Sequence, residues 1–290
     1  MRAVLRPPVG VIGLGAMGGA MSSNLLKAGF EVRGFDIAAA QRAALRRAGG
    51  KAVSSIAGLK APVIITSLPS AAALHDVSNT LKGRCVVVET STLPIEDKEK
   101  ARDTLKRKGI TLLDCPLSGT GAQAKVKDLV VFGSGDRKAF QSISPVLNGF
   151  SRAQYYLGAF GNGSRMKFVA NLLVAIHNVS AAEAFVLGMK AGLPAKTIFE
   201  VIENSAGSSR MFQVRGPQMV KGRYDGPGIA VELFQKDMKI IGEFAARIGA
   251  PTALFNASAA IYNAAIAQGH GKDDTASVCA VLESLAKLRR

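Results

Sequence analysis

Tryptophan is absent from this 290-residue chain, and histidine and cysteine occur only three times each. Without tryptophan, and with no ribbon in which cations alternate with aromatic rings, the chain lacks the stacking platform that single-stranded nucleic acid requires. The cysteines (Cys85, Cys115, Cys279) stand far apart, with no CxxC pair and no Cys/His metal spacing. That excludes a disulfide scaffold and a zinc module, and suits a reducing cytoplasm. Acidic residues are also scarce, 21 against 37 lysines and arginines, for a net charge of +16.

That excess raises nucleic acid as a partner. The cations are nevertheless dispersed, with local clusters at 46–51, 98–108 and the terminal "KLRR", and Glu96, Asp97, Glu99 and Asp103 interleave with the second. They read as solvated helix faces that also attract anionic ligands, so no nucleic-acid partner is expected. The opening "MRAVLRPP" is too short for a signal peptide and has no apolar core. The longest apolar stretch, Phe168 to Met189, has the length of a membrane span but contains Asn171, His177, Asn178, Ser180 and Glu183. Those groups are costly in lipid, so a buried central helix is expected, and no membrane partner.

What is present is periodicity of two kinds. From Val9 to about Leu157, short β-branched runs ("VGVIG", "FEVRGF", "PVIITSL", "CVVVET", "ITLLDC", "LVVFGS", "QYYLG") alternate with amphipathic helical stretches that end near glycine. Near-continuous apolar strands in βαβ alternation imply a parallel sheet covered on both faces. After about Gly163 helical periods take over, at 163–191, 195–204, 230–249, 252–269 and 273–288, punctuated by "AGLP", "YDGPG" and "IGAP". The expected fold class is α/β. A Rossmann-type doubly wound domain, 1–162, precedes an all-helical domain, 163–290.

"VGVIGLGAMGGAMSSNLLKAGFEVRGFD" carries G-x-G-x-x-G at Gly13, Gly15 and Gly18, with Leu14, Ala16 and Met17 between them. The loop follows a strand and opens a helix, and Asp36 ends the next strand 23 residues beyond Gly13. That is dinucleotide spacing: a tight turn at Gly13, close approach of the pyrophosphate at Gly15 and close packing at Gly18. The pyrophosphate then lies at a positive helix end. Asp36 would bind the ribose hydroxyls and repel a 2′-phosphate, which favours NAD. Arg33 and Arg42 stand near enough to keep NADP in view.

In "GNGSRMKFVANLLVAIHNVSAAEAF", offsets of four and seven place Lys167, Asn171 and Asn178 on one face of an apolar helix. Oxidising an alcohol needs a group that exchanges the hydroxyl proton. His75 falls on a predicted Rossmann helix, His177 lies off the Lys167 stripe and His270 sits in a loop. Lys167, just past the domain boundary, is better placed. Its ordinary pKa, about 10.4, must fall for oxidation, and partial burial and a second cation both act that way. Asn171, one turn on, can orient it and donate to a carboxylate. Ser118 follows the strand "ITLLDC", at the strand end where ligands bind in open α/β sheets.

Taken together, "GLGAMGGAM", "TSLPS", "ETSTLP", "DCPLSGTGAQA", "GNGSRMKFVANLL" and "FQKDMKII" resemble, in order and near spacing, the β-hydroxyacid dehydrogenase family. That family includes 3-hydroxyisobutyrate dehydrogenase and tartronate semialdehyde reductase. The resemblance implies a homo-oligomeric, NAD-dependent enzyme for a small 3-hydroxy acid, with Lys167 catalytic and Asn171 orienting the substrate. It also implies that Ser118, Gly119 and Thr120 bind the substrate carboxylate. Leu68, Pro69 and Thr92 would contact the cofactor, Lys236 would close over it, and Asp237 reads as structural. Thr120, Gln123 and Lys127 stand where relatives often have glycine, and Ala170 replaces the first of two asparagines. The substrate loop is therefore expected to be bulkier and more polar, and the identity of the acid stays open. Two alternatives stand beside this reading. One is a non-catalytic nucleotide-binding protein with a basic, nucleic-acid-binding surface. The other is an imine reductase, whose resemblance implies aspartate or tyrosine where this chain has Lys167.

Overall fold

A computed structural model describes residues 6–225 and 228–288. The first five residues of "MRAVLRPP", the central Gly226 and Pro227 of "YDGPG" and the last two arginines of "KLRR" lie outside the described residues. The chain divides into two compact units, Met1–Lys167 and Phe168–Arg290.

In the first unit, β1 (Val9–Ile12), α1 (Ala16–Lys27), β2 (Val32–Phe35), α2 (Ala39–Arg47) and β3 (Lys51–Ala52) come first. They are followed by β4 (Val63–Thr66), α3 (Ala71–Thr80), β5 (Val86–Glu89), α4 (Ile95–Lys106) and β6 (Thr111–Asp114). These strands form one parallel sheet in the order β3-β2-β1-β4-β5-β6, the doubly wound arrangement whose switch point lies between β1 and β4. The apolar runs are continuous because each strand feeds two cores. Val63, Ile65, Val88 and Leu113 pack with α1 and α2 residues such as Met21, Leu25 and Leu45 on one face. Ile64, Val87 and Leu112 pack with Leu74, Val77, Ala101 and Leu105 of α3 and α4 on the other.

Beyond β6 the chain keeps its direction through Pro116, and Asp114, Leu117 and Ser118 all pair antiparallel with residues 130–134. β7 (Leu117–Ser118), α5 (Gly121–Lys125), β8 (Val130–Gly133), α6 (Arg137–Ser142), α7 (Ser144–Phe150) and β9 (Ala153–Tyr156) complete the unit. β7, β8 and β9 form a second, three-stranded sheet in which β7 runs antiparallel to β8. The expected single sheet is thus two, joined where the backbones of Asp114 and Ser134 exchange hydrogen bonds at 3.1 and 2.8 Å. Two-residue strands such as β3 and β7 are too short to show a period of two.

α8 (Asn162–Lys190) runs from the first unit into the second, so the division falls after Lys167, inside the helix, rather than after residue 162. The second unit continues with α9 (Ala195–Ile202), α10 (Arg210–Lys221), α11 (Val231–Arg247), α12 (Ala253–Ala267) and α13 (Val278–Leu285). The sequence reading had missed α10, because Gly216-Pro217 inside it reads as a break. Packing outweighs that penalty: Phe212 lies between Phe185 and Phe199, with ring centroids 5.2 and 5.8 Å away and the rings nearly parallel. α8 is, among the described residues, long and apolar enough to cross a membrane. Its Asn171 and Asn178 are buried and bonded to protein partners, as a core helix requires.

Truncating the central ring of this stack, Phe212→Ala, should cost about 3–5 kcal/mol, because the cavity between two flanking rings cannot close. Denaturant midpoints at constant m-value would measure it, and a loss below 1 kcal/mol would contradict the account.

Candidate active site

The glycine turn is built by close contacts. Gly13 has φ +86°, and a Cβ there would lie 2.1 Å from the Ser67 carbonyl oxygen. A Cβ on Gly18 would lie 1.8 Å from the Gly13 carbonyl oxygen, so helix and strand meet only without side chains at those positions. Gly15 differs: a Cβ there would meet nothing within 4 Å. Beside that open space begins α1, with no side-chain cap and no acidic residue in its first turn. Its free amides and positive end suit a pyrophosphate. Gly15 and Ala16 are exposed and Met17 is half-buried. Leu14 is 2% exposed and packs into the core, so only its backbone can serve a ligand.

Asp36 ties the turn to the end of β2. Its Oδ2 accepts the Leu14 N–H at 2.7 Å and its Oδ1 the Ala38 N–H at 2.8 Å. Both oxygens keep a lone pair for a ribose hydroxyl. Of the two arginines near it in sequence, Arg33 is occupied by Glu31 and the Lys60 carbonyl, both at 2.7 Å. Arg42 donates to the backbone carbonyls of Asp36 and Ile37 and is the one beside the acidic group. Ile37 itself is 90% exposed, an apolar surface next to Asp36 that sequence reasoning had passed over.

The loops after β4 and β5 are held together: Ser91 Oγ accepts the Leu68 N–H at 2.8 Å, which fixes Leu68 and Pro69 beside the half-buried Thr92. Ser118 and Gly119 follow β6 just beyond Pro116 and are half-buried. Thr120 caps α5 in a capping box, its Oγ1 accepting Gln123 N–H at 3.4 Å and Gln123 Oε1 accepting Thr120 N–H at 3.0 Å. Gln123 Nε2 continues to Asp128, which pairs with Arg152. The Gln123 amide is therefore used within the loop. Lys127 sits at φ +62°, a left-handed conformation that accounts for glycine at such a position.

Lys167 is half-buried near the start of α8. That start is fixed by Asp114 at the end of β6, whose Oδ2 accepts the Ser164 N–H and whose Oδ1 accepts the Ser164 hydroxyl, each at 2.8 Å. Asp114 in turn pairs with Lys98, which is completely buried, at 2.9 Å. Sequence reading had missed this network, having assigned Lys98 to a solvated face. The one available signal was the spacing of "IEDKEKARDTL", which puts Lys98, Ala101 and Leu105 on one side of α4.

In the second unit Asn171 is 5% exposed and its Nδ2 donates to Asp237 Oδ2 at 2.9 Å. Lys236 pairs with the other oxygen of Asp237 at 3.3 Å. Because a carboxylate only accepts, Asp237 decides which end of the Asn171 amide points where. Asn178, also on the stripe, is fully buried and donates to the Tyr262 hydroxyl at 3.0 Å, a structural use. The histidines lie elsewhere: His75 pairs with Asp97 at 3.0 Å and His270 with Asp273 at 2.7 Å, while His177 is half-buried off the stripe.

Comparison with known proteins places this geometry. Residues 8–158 match the family described as the NAD binding domain of 6-phosphogluconate dehydrogenase. Residues 161–282 match the one described as NAD-binding of NADP-dependent 3-hydroxyisobutyrate dehydrogenase. L-threonate dehydrogenase of Haemophilus influenzae is 31% identical over 96% of this chain and 96% of its own. 2-(Hydroxymethyl)glutarate dehydrogenase of Eubacterium barkeri is 32% identical over 96% of this chain and 95% of its own. The crystal structure of a 3-hydroxyisobutyrate dehydrogenase from Salmonella typhimurium superposes with a TM-score of 0.85, at 28% identity, over 94% of this chain and 99% of that one.

The contrast between the glycines is testable. Gly15→Ala should leave the melting temperature unchanged and weaken NAD binding roughly tenfold or more, since the new methyl enters ligand space rather than protein. Gly18→Ala should instead lower the melting temperature. Equal NAD affinity in Gly15→Ala would show that the open space is not the pyrophosphate site.

Proposed function

This chain belongs to the β-hydroxyacid dehydrogenase family, and from that premise we propose that Lys167 is the acid/base group of its 3-hydroxyacid dehydrogenase activity. The observation that carries this reading is the fixed orientation of Asn171. With its Nδ2 committed to Asp237, its Oδ1 is the acceptor end of the amide, on the helix stripe that the sequence spacing gives it with Lys167. The remaining N–H of Asn171 is available to the substrate.

The bound nicotinamide supplies the hydride acceptor or donor. In oxidation the neutral amine of Lys167 takes the hydroxyl proton as the carbonyl forms; in reduction the ammonium returns it. Ser118, Gly119 and Thr120 bind the carboxylate, with the Thr120 hydroxyl still able to donate while its oxygen caps α5. Asp36 holds the adenosine ribose, Gly13–Gly18 the pyrophosphate, and Leu68, Pro69 and Thr92 the nicotinamide side. Lys236, paired with Asp237, is the further cofactor-binding residue that the family resemblance implies. NAD is the proposed cofactor, since Asp36 would repel a 2′-phosphate. The first unit is the dinucleotide domain and the second serves substrate binding and oligomerisation.

The substrate is proposed as a small 3-hydroxy acid of the kind named for the relatives: L-threonate, 2-(hydroxymethyl)glutarate or 3-hydroxyisobutyrate. The family membership and the retained Lys167 favour this over an imine reductase or a non-catalytic nucleotide-binding protein. A homodimer or homotetramer is supported by exposed apolar residues along α8 (Val169 55%, Leu173 46%, Leu187 74%), which a second copy would cover. A cytoplasmic location is supported by three cysteines that are all unpaired.

Initial rates of NAD and NADP reduction against a panel of such acids should give turnover with one of them, faster with NAD. Lys167→Ala should retain NAD binding and lose roughly 10²–10⁴-fold in kcat. Equal activity in Lys167→Ala would refute the mechanism. Light scattering should give a multiple of the chain mass, and a monomer at every concentration would reject the oligomer.

A further inference from the structure

Lys98 is a lysine with no solvent exposure at all. Its ammonium is surrounded by three oxygens: the Ser91 carbonyl at 2.6 Å, Asp114 Oδ1 at 2.9 Å and Glu89 Oε2 at 2.6 Å. The Glu89 contact is poorly directed for a hydrogen bond, so its attraction is one of charge. Glu89 and Asp114 are register partners on the adjacent strands β5 and β6, and the cluster is one cation between two anions. A buried ion cluster of this kind is a poor source of stability, because apolar residues of similar volume serve as well or better. Its purpose has to be sought in what it holds.

The other hydrogen bonds of the Asp114 carboxylate lead to α8. Its Oδ2 accepts the Ser164 N–H at 2.8 Å and the Ser134 hydroxyl at 3.2 Å, and its Oδ1 accepts the Ser164 hydroxyl at 2.8 Å. Ser134 Oγ meanwhile accepts the Gly163 N–H at 3.0 Å. The first amides of α8 are thus capped from β6 and β8 rather than by the helix's own residues. Ser164 and Lys167 are three residues apart, on one face of that helix. Glu89 extends the same cluster the other way: its Oε1 accepts the Ser91 N–H at 3.0 Å, and Ser91 Oγ holds Leu68.

We infer that Lys98 is a positioning residue for Lys167: its ammonium keeps Asp114 ionised beside Glu89, and ionised Asp114 holds the first turn of α8 in the place from which Lys167 acts. Without Lys98, two like charges share a dry site and one of them takes up a proton. A protonated Asp114 loses the charge that makes its three bonds to Ser164 and Ser134 strong. The other titratable groups around the cluster do not substitute for Lys98. On α3, His75 is turned to Asp97 of α4, and the Cys115 thiol next to Asp114 is fully buried, which pushes its pKa up and keeps it neutral. Burial alone would lower the pKa of Lys98, but Asp114 and Glu89 more than reverse this. A pKa raised by folding means that the contribution is complete below about 10.4 and is lost only as pH rises through the folded value. Across the neutral range Lys98 is therefore a constant charge.

The inference rests on Lys167 as the acid/base group, and the test separates the two. Lys98→Met in the full chain should raise amide hydrogen exchange in peptides covering residues 161–170 and leave those covering β1 unchanged. It should also lower kcat at least about tenfold, with a smaller effect on the KM for the hydroxy acid, and add an ionisation to the pH–kcat profile. A variant that melts lower but keeps wild-type exchange at 161–170, or wild-type kcat and pH profile, would overturn the inference and leave Lys98 merely structural. Should Lys98→Met not fold, Glu89→Gln, Ser164→Ala and their combination carry the test: non-additive losses in kcat support the inference, and additive losses overturn it. If Lys167→Ala stays active, the acid/base reading fails, while the exchange measurement still decides whether Lys98 anchors the turn.

Discussion

Parallel strands end in amides and carbonyls that have no further partner in the sheet, and in this protein the candidate ligand loops begin at those ends. The constraint on which the first unit depends is that these terminal groups must be satisfied in a place that solvent does not reach. Glu89 and Asp114, the last residues of β5 and β6, are both completely buried, and Lys98 lies between them. From that point hydrogen bonds lead to the loop after β4, through Ser91 and Leu68, and to the first turn of α8, through Ser164. The approach is so close that a Cβ on Gly163 would lie 2.3 Å from the Phe132 carbonyl oxygen. Loops that surround a ligand are free to vary only where such an anchor lies beneath them.

The second unit solves a related problem on an apolar helix. Asn171 and Asn178 share one face of α8, and each is given a single partner from another helix, Asp237 from α11 and Tyr262 from α12. The two partners differ in kind. The Tyr262 hydroxyl is neutral, with burial raising its pKa further, so Asn178 closes a structural contact. Asp237 brings a charge and its own cation, Lys236, so Asn171 belongs to a charged group. Residues that share a stripe thus have different uses, which the charge of their partners decides.

The Thr120–Lys127 segment shows how a loop can use its own polar side chains. Gln123 is spent on the capping box and on Asp128, and Lys127 adopts the left-handed conformation itself. Polarity counted along the sequence overstates what faces the substrate, because a side chain that satisfies its own loop is not available to a ligand.

The doubly wound sheet, the glycine turn with Asp36 at its distance, the long polar-striped helix and the family were all legible in the sequence, because each rests on periodicity or on spacing along the chain. Local chemistry determines these: a strand buried on both faces has to be apolar throughout, and a turn at Gly13 admits no side chain. What only the tertiary structure decided is where charges end up. Lys98 sits among Glu96, Asp97 and Glu99 and reads as surface, and it is buried because the ends of the strands before and after its helix bring two carboxylates to meet it. The second sheet arises in the same way, since β7 becomes a strand only when β8 is beside it. So does α10, whose Gly216-Pro217 is overruled by rings stacked from other helices. Periodicity is a property of neighbours along the chain, whereas the pairing of buried charges and the filling of a core are properties of neighbours in space.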